Sequence, residues 1–307
     1  MKAIVICGPT GSGKSRAAMT IARRYNCSIV GADSRQVYRR LDIGTAKPSM
    51  EQRREIPHYL IDIADISEDF TAMRYVREAL SSLELAAGVN RIPLVAGGTG
   101  LYIEALTKGI FVGPGKDESI RAELEERARR EGLAVLYREL DSADPVTAAA
   151  ISPNDRIRLI RALEILRKTG MPPSAARQSD EYIRSDADFL WIGLDVPRNL
   201  LYERINDRVD RMIDDGLIDE IKGLLRDGLG SYIKEKKIVG YGEIIAAVEN
   251  QSDLNEAVAL LKRRTRNYAK RQLTWFRNRT NAIWLDPTGR DFERKVFSLL
   301  DEHLNRT

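Results

Sequence analysis

Short runs of contiguous apolar residues alternate along this chain with longer stretches whose apolar positions recur at helical spacing. The runs Ala3–Cys7, Ser28–Ala32, Tyr59–Ile63, Ile92–Ala96, Phe189–Val196 and Ala282–Leu285 show little polar alternation, the pattern of strands covered on both faces. Strands of that kind, separated by helices, assemble most economically as a parallel sheet flanked by helices, an α/β fold. From Gly113 to about Asp188 the pattern changes to charged helices, predicted at Glu118–Glu131, Leu133–Asp141, Asp144–Ile151 and Asn154–Gly170. The last is closed by Gly170 and Pro172, a usual helix stop. Such a block between two strands reads as a helical insertion domain: residues 1–113 and 189–307 form the core, and 114–188 the insertion. Beyond Val196 the reading is helical until Ala282, without internal repeat or low-complexity tract.

The first strand runs directly into GPTGSGKS, that is Gly8, Pro9, Thr10, Gly11, Ser12, Gly13, Lys14 and Ser15, and a helical run, Arg16 to Tyr25, follows. This is a phosphate-binding loop in its required strand and helix context. The glycines let successive backbone N–H groups turn inward, and the positive end of the helix adds to their field. Lys14 supplies a mobile positive charge, and the Ser15 hydroxyl suits Mg²⁺, which takes few protein ligands. The sheet predicted here is therefore P-loop NTPase-like.

Composition narrows the picture. At 307 residues and 43% hydrophobic content, the chain has room for one large α/β domain and an insertion. No run approaches the roughly 20 apolar residues of a membrane helix, and the first strand begins too early to leave room for a signal peptide. A cytoplasmic protein with no obligate protein partner, a monomer, is expected. Cys7 and Cys27 are too few for a disulfide framework or thiolate metal site, and His58 and His303 are too few for histidine-rich chemistry. A net charge of +4 leans weakly toward an anionic partner.

Three further segments carry chemistry. In GADSRQVYRRLDIGTAKP, Gly31 to Pro48, Asp33 falls just beyond a strand, at the edge where α/β sheets hold ligands. Its carboxylate can serve as Mg²⁺ ligand, general base or helix N-cap, and spacing alone does not choose. Ser34, Arg35, Gln36, Thr45 and Lys47 read as a substrate-contacting loop, and Arg39 and Arg40 as either contacts or solvated charges. The loop AGGTG, Ala96 to Gly100, has glycines that permit close approach to a ligand and a Thr99 hydroxyl placed as a donor. Its strand lacks the terminal Asp with which P-loop NTPases hold Mg²⁺; the nearest such pattern is Ile29 to Asp33. That points away from ATP hydrolysis. The predicted helix Glu256 to Arg279 places Lys262, Arg263, Arg266, Lys270 and Arg277 within an arc of roughly 100°. Leu261, Thr265, Tyr268, Gln272, Trp275 and Phe276 lie on the other side. No acidic residue occurs from Ala257 through Leu285, so the stripe reads as unpaired and suited to a phosphate backbone. Arg156, Arg158, Arg161 and Arg121 of the insertion could grip the same nucleic acid.

The order GPTGSGKS, ADSRQVYRRLDIGTAKP, GGTGLY, NDRIRLIRALEI and TRNYAKRQLTWFR closely resembles the bacterial tRNA dimethylallyltransferase family, from about Ala3 to Trp284. DIGTAKP and YAKRQxTWFR are its specific parts. The chain departs from the family at His58 and Tyr59, where two His are frequent, and at VGYGE, Val239 to Glu243, where a basic or Gln-containing turn is usual. The resemblance implies that dimethylallyl diphosphate supplies the diphosphate held by Thr10 to Ser15. It implies that Asp33, Ser34, Arg35 and Gln36 contact the target adenosine, that Thr99 and Arg121 sit at the reaction centre or its tRNA border, and that Ile157, Arg158, Leu159, Ile160 and Arg161 contact tRNA. The acceptor implied is the adenosine 3′ of the anticodon, in the anticodon stem-loop, which leaves its stack to react. Lys14, Thr99 and Mg²⁺ near Ser15 are then candidates for stabilising the leaving diphosphate, Asp33 for orienting the amine and accepting its proton, and Arg266 and Lys270 for binding tRNA. Arg208 either reaches the diphosphate or is an ordinary surface charge. Competing readings are a small-molecule kinase, a prenyltransferase of free adenine nucleotide, and a non-catalytic RNA-binding switch.

Overall fold

The computed structural model describes residues 1–179 and 182–306. Eight strands occur among them: β1 (Lys2–Cys7), β2 (Cys27–Ala32), β3 (His58–Tyr59), β4 (Ile92–Gly97), β5 (Ile110–Phe111), β6 (Tyr182–Ile183), β7 (Asp188–Leu194) and β8 (Ile283–Leu285). Six form one sheet in the order β3-β2-β4-β1-β7-β8, every pairing parallel. At its centre Val5 lies between Val95 and Trp191. After β1 the chain crosses to β2 on one side, and after β7 to β8 on the other. The carboxyl ends of β1 and β7 therefore border a switch point, where doubly wound sheets open a ligand crevice.

Pleating turns alternate residues to opposite faces. Ile4, Ile6, Leu94, Ile192 and Leu194 pack with Ala18 and Ile21 of the helix Lys14–Tyr25 and with Val296 and Leu300 of the helix Phe292–Asn305. Ala3, Val5 and Cys7 are equally buried on the other side. The helix Ala72–Gly88 contacts β2, β4 and the helix Gly100–Lys108, burying Tyr75, Val76, Ala79 and Leu83. Burial pushes the Cys7 thiol up to about 12, although Lys14 pulls it down; Cys7 is a small apolar core residue.

The chain folds into two compact units, Met1–Gly109 with Arg184–Thr307, and Ile110–Ile183. The second unit has its own core of Leu124, Leu136, Leu140, Ala148, Leu159 and Leu163. Asp144 is buried within it and caps the helix Pro145–Ala149. Burial works to raise its pKa, but hydrogen bonds from Thr147 and Ser174 prevail and hold it near 2. The unit begins and ends in the antiparallel pair β5 and β6, so it starts before residue 114 and ends before 188. These strands are two residues each, too short to show a period.

The apolar run Tyr59–Ile63 is a strand only at its start. Leu60 and Asp62 take positive φ, 63° and 59°, and the Asp62 carboxylate receives Lys47 and Arg53. The chain thus turns away from β2 where the run predicts continuation.

Candidate active site

Beyond Cys7 the backbone turns through Gly8, Gly11 and Gly13, with φ of 148°, 80° and 94°. Gly13 is the left-handed N-cap of the helix Lys14–Tyr25, a conformation in which a Cβ is unfavourable. Lys14 folds back so that Nζ donates to the Pro9 carbonyl at 2.7 Å. Its pKa falls to about 8, chiefly through burial, then through repulsion by Arg208, with Asp33 opposing both. Ser12 is buried, and its hydroxyl meets no hydrogen-bond partner among the described residues.

Asp33 follows β2 directly. Its Oδ1 accepts the backbone N–H groups of Arg35 at 2.8 Å and Gln36 at 3.4 Å, while Oδ2 accepts no hydrogen bond from the described residues. It caps a turn rather than a regular helix, and half of the carboxylate stays free. Thr99 Oγ1 accepts from Ser34 N at 2.9 Å, which joins the two loops and leaves the Thr99 proton available to donate. Gln36 Nε2 donates to the carbonyls of Thr45 and Ala46. Thr45 lines the same cleft as Asp33 with its hydroxyl turned inward, whereas Lys47 is structural rather than substrate-facing. Thr45 is buried and donates to Leu41 O; the Lys47 side chain is 2% exposed and engages Tyr38 O, Asp42 and Asp62. Arg39 is exposed and Arg40 pairs with Asp227.

One cleft of about 320 Å³ gathers Thr10, Lys14, Ser15, Asp33, Arg35 and Gln36 with Arg208, Tyr268, Arg271 and Gln272. Arg208 therefore lines the cleft rather than standing as an ordinary surface charge: it lies along the phosphate loop and reaches Thr45 O at 3.5 Å, and burial lowers its pKa, with Asp33 opposing. Burial, then the Asp33 charge, pushes Tyr268 up to about 12, so it stays a neutral phenol. A larger opening of about 670 Å³ runs along the outer side of the loop, past Arg16, Arg204, Arg211 and Arg290.

Gln272 and Tyr268 line the Asp33 cleft and Glu220 anchors a loop beside it; sequence reasoning gave none of the three a place in the site. The helix Leu254–Arg279 carries Gln272 into the junction of two loops, where Oε1 accepts Thr10 N–H at 2.8 Å and Nε2 donates to Gly98 O at 2.9 Å. Helical periodicity put Gln272 and Tyr268 on the inward face but could not say what they meet. Glu220, on the helix Leu217–Arg226, accepts N–H groups of Asp42, Ile43 and Gly44 and the Tyr241 hydroxyl; a lone helical Glu carries no signal of this. Gly97 and Gly98 line the cleft, and the glycines of AGGTG also make room for protein. A Cβ on Gly98 would lie 2.3 Å from Gln272 Nε2, and one on Gly100 2.2 Å from the Trp275 ring.

The basic stripe is not unpaired. The helix Arg198–Asp214 packs beside it, and Lys262 pairs with Asp210, Arg266 donates to Asn206 and stacks over Tyr202, and Arg277 pairs with Asp195. These partners are remote in sequence, beyond the reach of i,i+4 reasoning. Lys270 is exposed and without an acidic partner among the described residues. In VGYGE, Glu243 turns back to cap Gly240 N–H and takes Arg264.

Within Ile110–Ile183, Arg121 and Arg161 both bind the fully buried Glu164, whose other oxygen accepts Asp117 N–H. Ile157 is 82% exposed and Arg158 is exposed. Leu159 and Ile160, in contrast, lie in the unit's core at 0% and 4% exposure, so their side chains contact no ligand. Arg156 is held by Glu125.

A glycine loop at a helix N-terminus, set at the carboxyl edge of a parallel sheet and facing a carboxylate, defines an α/β enzyme that handles phosphate compounds. Residues 36–279 match the family profile described as IPP transferase. The chain is 45% identical over 287 residues to the tRNA dimethylallyltransferase of Geobacter metallireducens, spanning 94% of this chain and 93% of that protein. It is 45% identical over 285 residues to that of Geobacter sulfurreducens, spanning 93% and 92%. Among solved structures, the full-length tRNA isopentenylpyrophosphate transferase of Bacillus halodurans superposes with a TM-score of 0.70 at 40% identity, covering 99% of this chain and 94% of that one. A eukaryotic dimethylallyltransferase acting on tRNA gives 0.78 at 28% identity, covering 100% and 80%. The chain belongs to the IPP transferase family.

Proposed function

We propose that this chain transfers a dimethylallyl group from dimethylallyl diphosphate to the exocyclic amine of the adenosine 3′ of the anticodon in tRNA. The observation that carries the reading is the single cleft in which Lys14, Ser15 and Arg208 face Asp33. One wall suits a diphosphate and the other an amine that must lose a proton. The C–N bond forms as the allylic C–O bond breaks; diphosphate departs, and the proton of the former amine passes to Asp33. Negative charge grows on the bridging oxygen during this step. Donors aimed there count most, since they bind the transition state more strongly than the ground state. Lys14 and Arg208 fill that role, and the Thr99 proton is available to it. The Ser15 hydroxyl is a hard oxygen donor in the same cleft, a fit for Mg²⁺, which keeps waters and shares phosphate oxygens, and the free oxygen of Asp33 is left to take the proton. When bound, Mg²⁺ neutralises charge on the diphosphate. Arg35 and Arg271 line the acceptor side, and Lys270 offers tRNA a phosphate contact. Relatives named as tRNA dimethylallyltransferases support the same substrates.

The test is transfer of radiolabelled dimethylallyl from its diphosphate to unmodified tRNA with Mg²⁺, with free AMP and ATP as parallel acceptors. Label in tRNA alone is expected. Label in AMP moves the acceptor to free nucleotide, and label nowhere removes the transferase reading.

A further inference from the structure

We propose that Gln272 is a positioning residue that sets the separation between the loop holding the donor and the loop orienting the acceptor; the proposal rests on the transfer reaction above. The side chain is 7% exposed, and both ends of its amide are satisfied across chain separations of 262 and 174 residues. On one side it holds Thr10, within the turn that ends in Lys14. On the other it holds Gly98, whose neighbour Thr99 fixes Ser34 N–H beside Asp33. No other side chain among the described residues hydrogen-bonds both loops. It leaves the cleft's charges untouched, so its effect is geometric: it keeps the allylic carbon in line with the amine. A shift of about 1 Å between reacting groups costs on the order of 10²-fold in rate. Gly98 is matched to it, since any Cβ there meets the amide nitrogen at 2.3 Å.

The experiment compares Gln272→Leu, Gln272→Glu and Gly98→Ala with wild type. It reads kcat, both KM values, affinity for Mg²⁺-pyrophosphate, affinity for tRNA, and melting temperature. Gln272→Leu should lower kcat about 10²-fold while the two binding affinities stay within about threefold. Gln272→Glu keeps the acceptor toward Thr10 N–H but, when ionised, loses the donor toward Gly98. A buried Glu holds its proton to higher pH, and the neutral acid again donates and accepts. Its kcat relative to wild type should therefore climb as pH falls from 8 to 5.5, whereas the Gln272→Leu ratio stays flat. Gly98→Ala, which displaces the amide without removing it, should reproduce the kcat loss. Variants that lose binding and melting temperature in parallel with kcat, or that keep wild-type kcat, overturn the proposal. So does a flat Gln272→Glu ratio. Wild-type enzyme inactive on tRNA would instead strike at the transfer reading.

Discussion

Lys14 works against its own environment. Burial and Arg208 bring its pKa to about 8, so the ammonium is present below that pH and lost above it. A bound diphosphate restores the charge, but the free enzyme must capture the substrate first. The kcat/KM for dimethylallyl diphosphate, which reports free-enzyme groups, should therefore fall as pH rises through about 8, while kcat falls later; an initial-rate pH series checks both. Asp33 is the second residue whose role can be isolated. Asp33→Asn keeps a group able to accept Arg35 N–H, so the turn should survive with tRNA affinity within about threefold. Loss of the proton acceptor should cost roughly 10²–10⁴ in kcat. Equal losses in binding and turnover would make Asp33 a purely structural cap. Spacing left three roles open for this carboxylate, because a side chain that caps its own turn with one oxygen can still do chemistry with the other.

At the scale of elements, the helix Leu254–Arg279 separates what sequence displays from what it hides. Its extent, basic character and inward aromatic face were readable from periodicity alone. The pairing of its charges was not, because Asp210 and Asp195 reach it from another helix and a strand-end loop. The difference predicts unequal effects on RNA binding. Lys270→Ala should weaken tRNA binding and reduce the slope of log affinity against log salt by about 1. Lys262→Ala should change that slope much less, since Asp210 already neutralises the charge; filter binding across a salt series decides. β3 failed for a related reason. An apolar run does not reveal that Asp62 is called into a left-handed turn by Lys47 and Arg53. The loop order at the sheet edge was readable throughout, because each glycine cluster directly follows an apolar strand.

For the molecule as a whole, two separate cores mean two places where stability can be lost. Leu159 is fully buried in the core of Ile110–Ile183. Leu159→Ala should cost about 2–5 kcal/mol there. Hydrogen exchange should show that loss in the amides of the helices Glu118–Glu131 and Arg156–Thr169 and leave Val5 and Val95 in the sheet unchanged; equal loss in both would mean that the chain opens as one unit. The helical insertion could be anticipated from its change of period, whereas its closing ribbon could not, since two-residue strands gain their identity only by pairing. Gly98 and Gly100 carry a consequence for inheritance. Each is small because Gln272 or Trp275 occupies the space a side chain would need, so the loop and the C-terminal helix are written to each other across more than half the chain. A hybrid of two relatives joined between them should work only when both segments come from one parent, or when both parents share this fit.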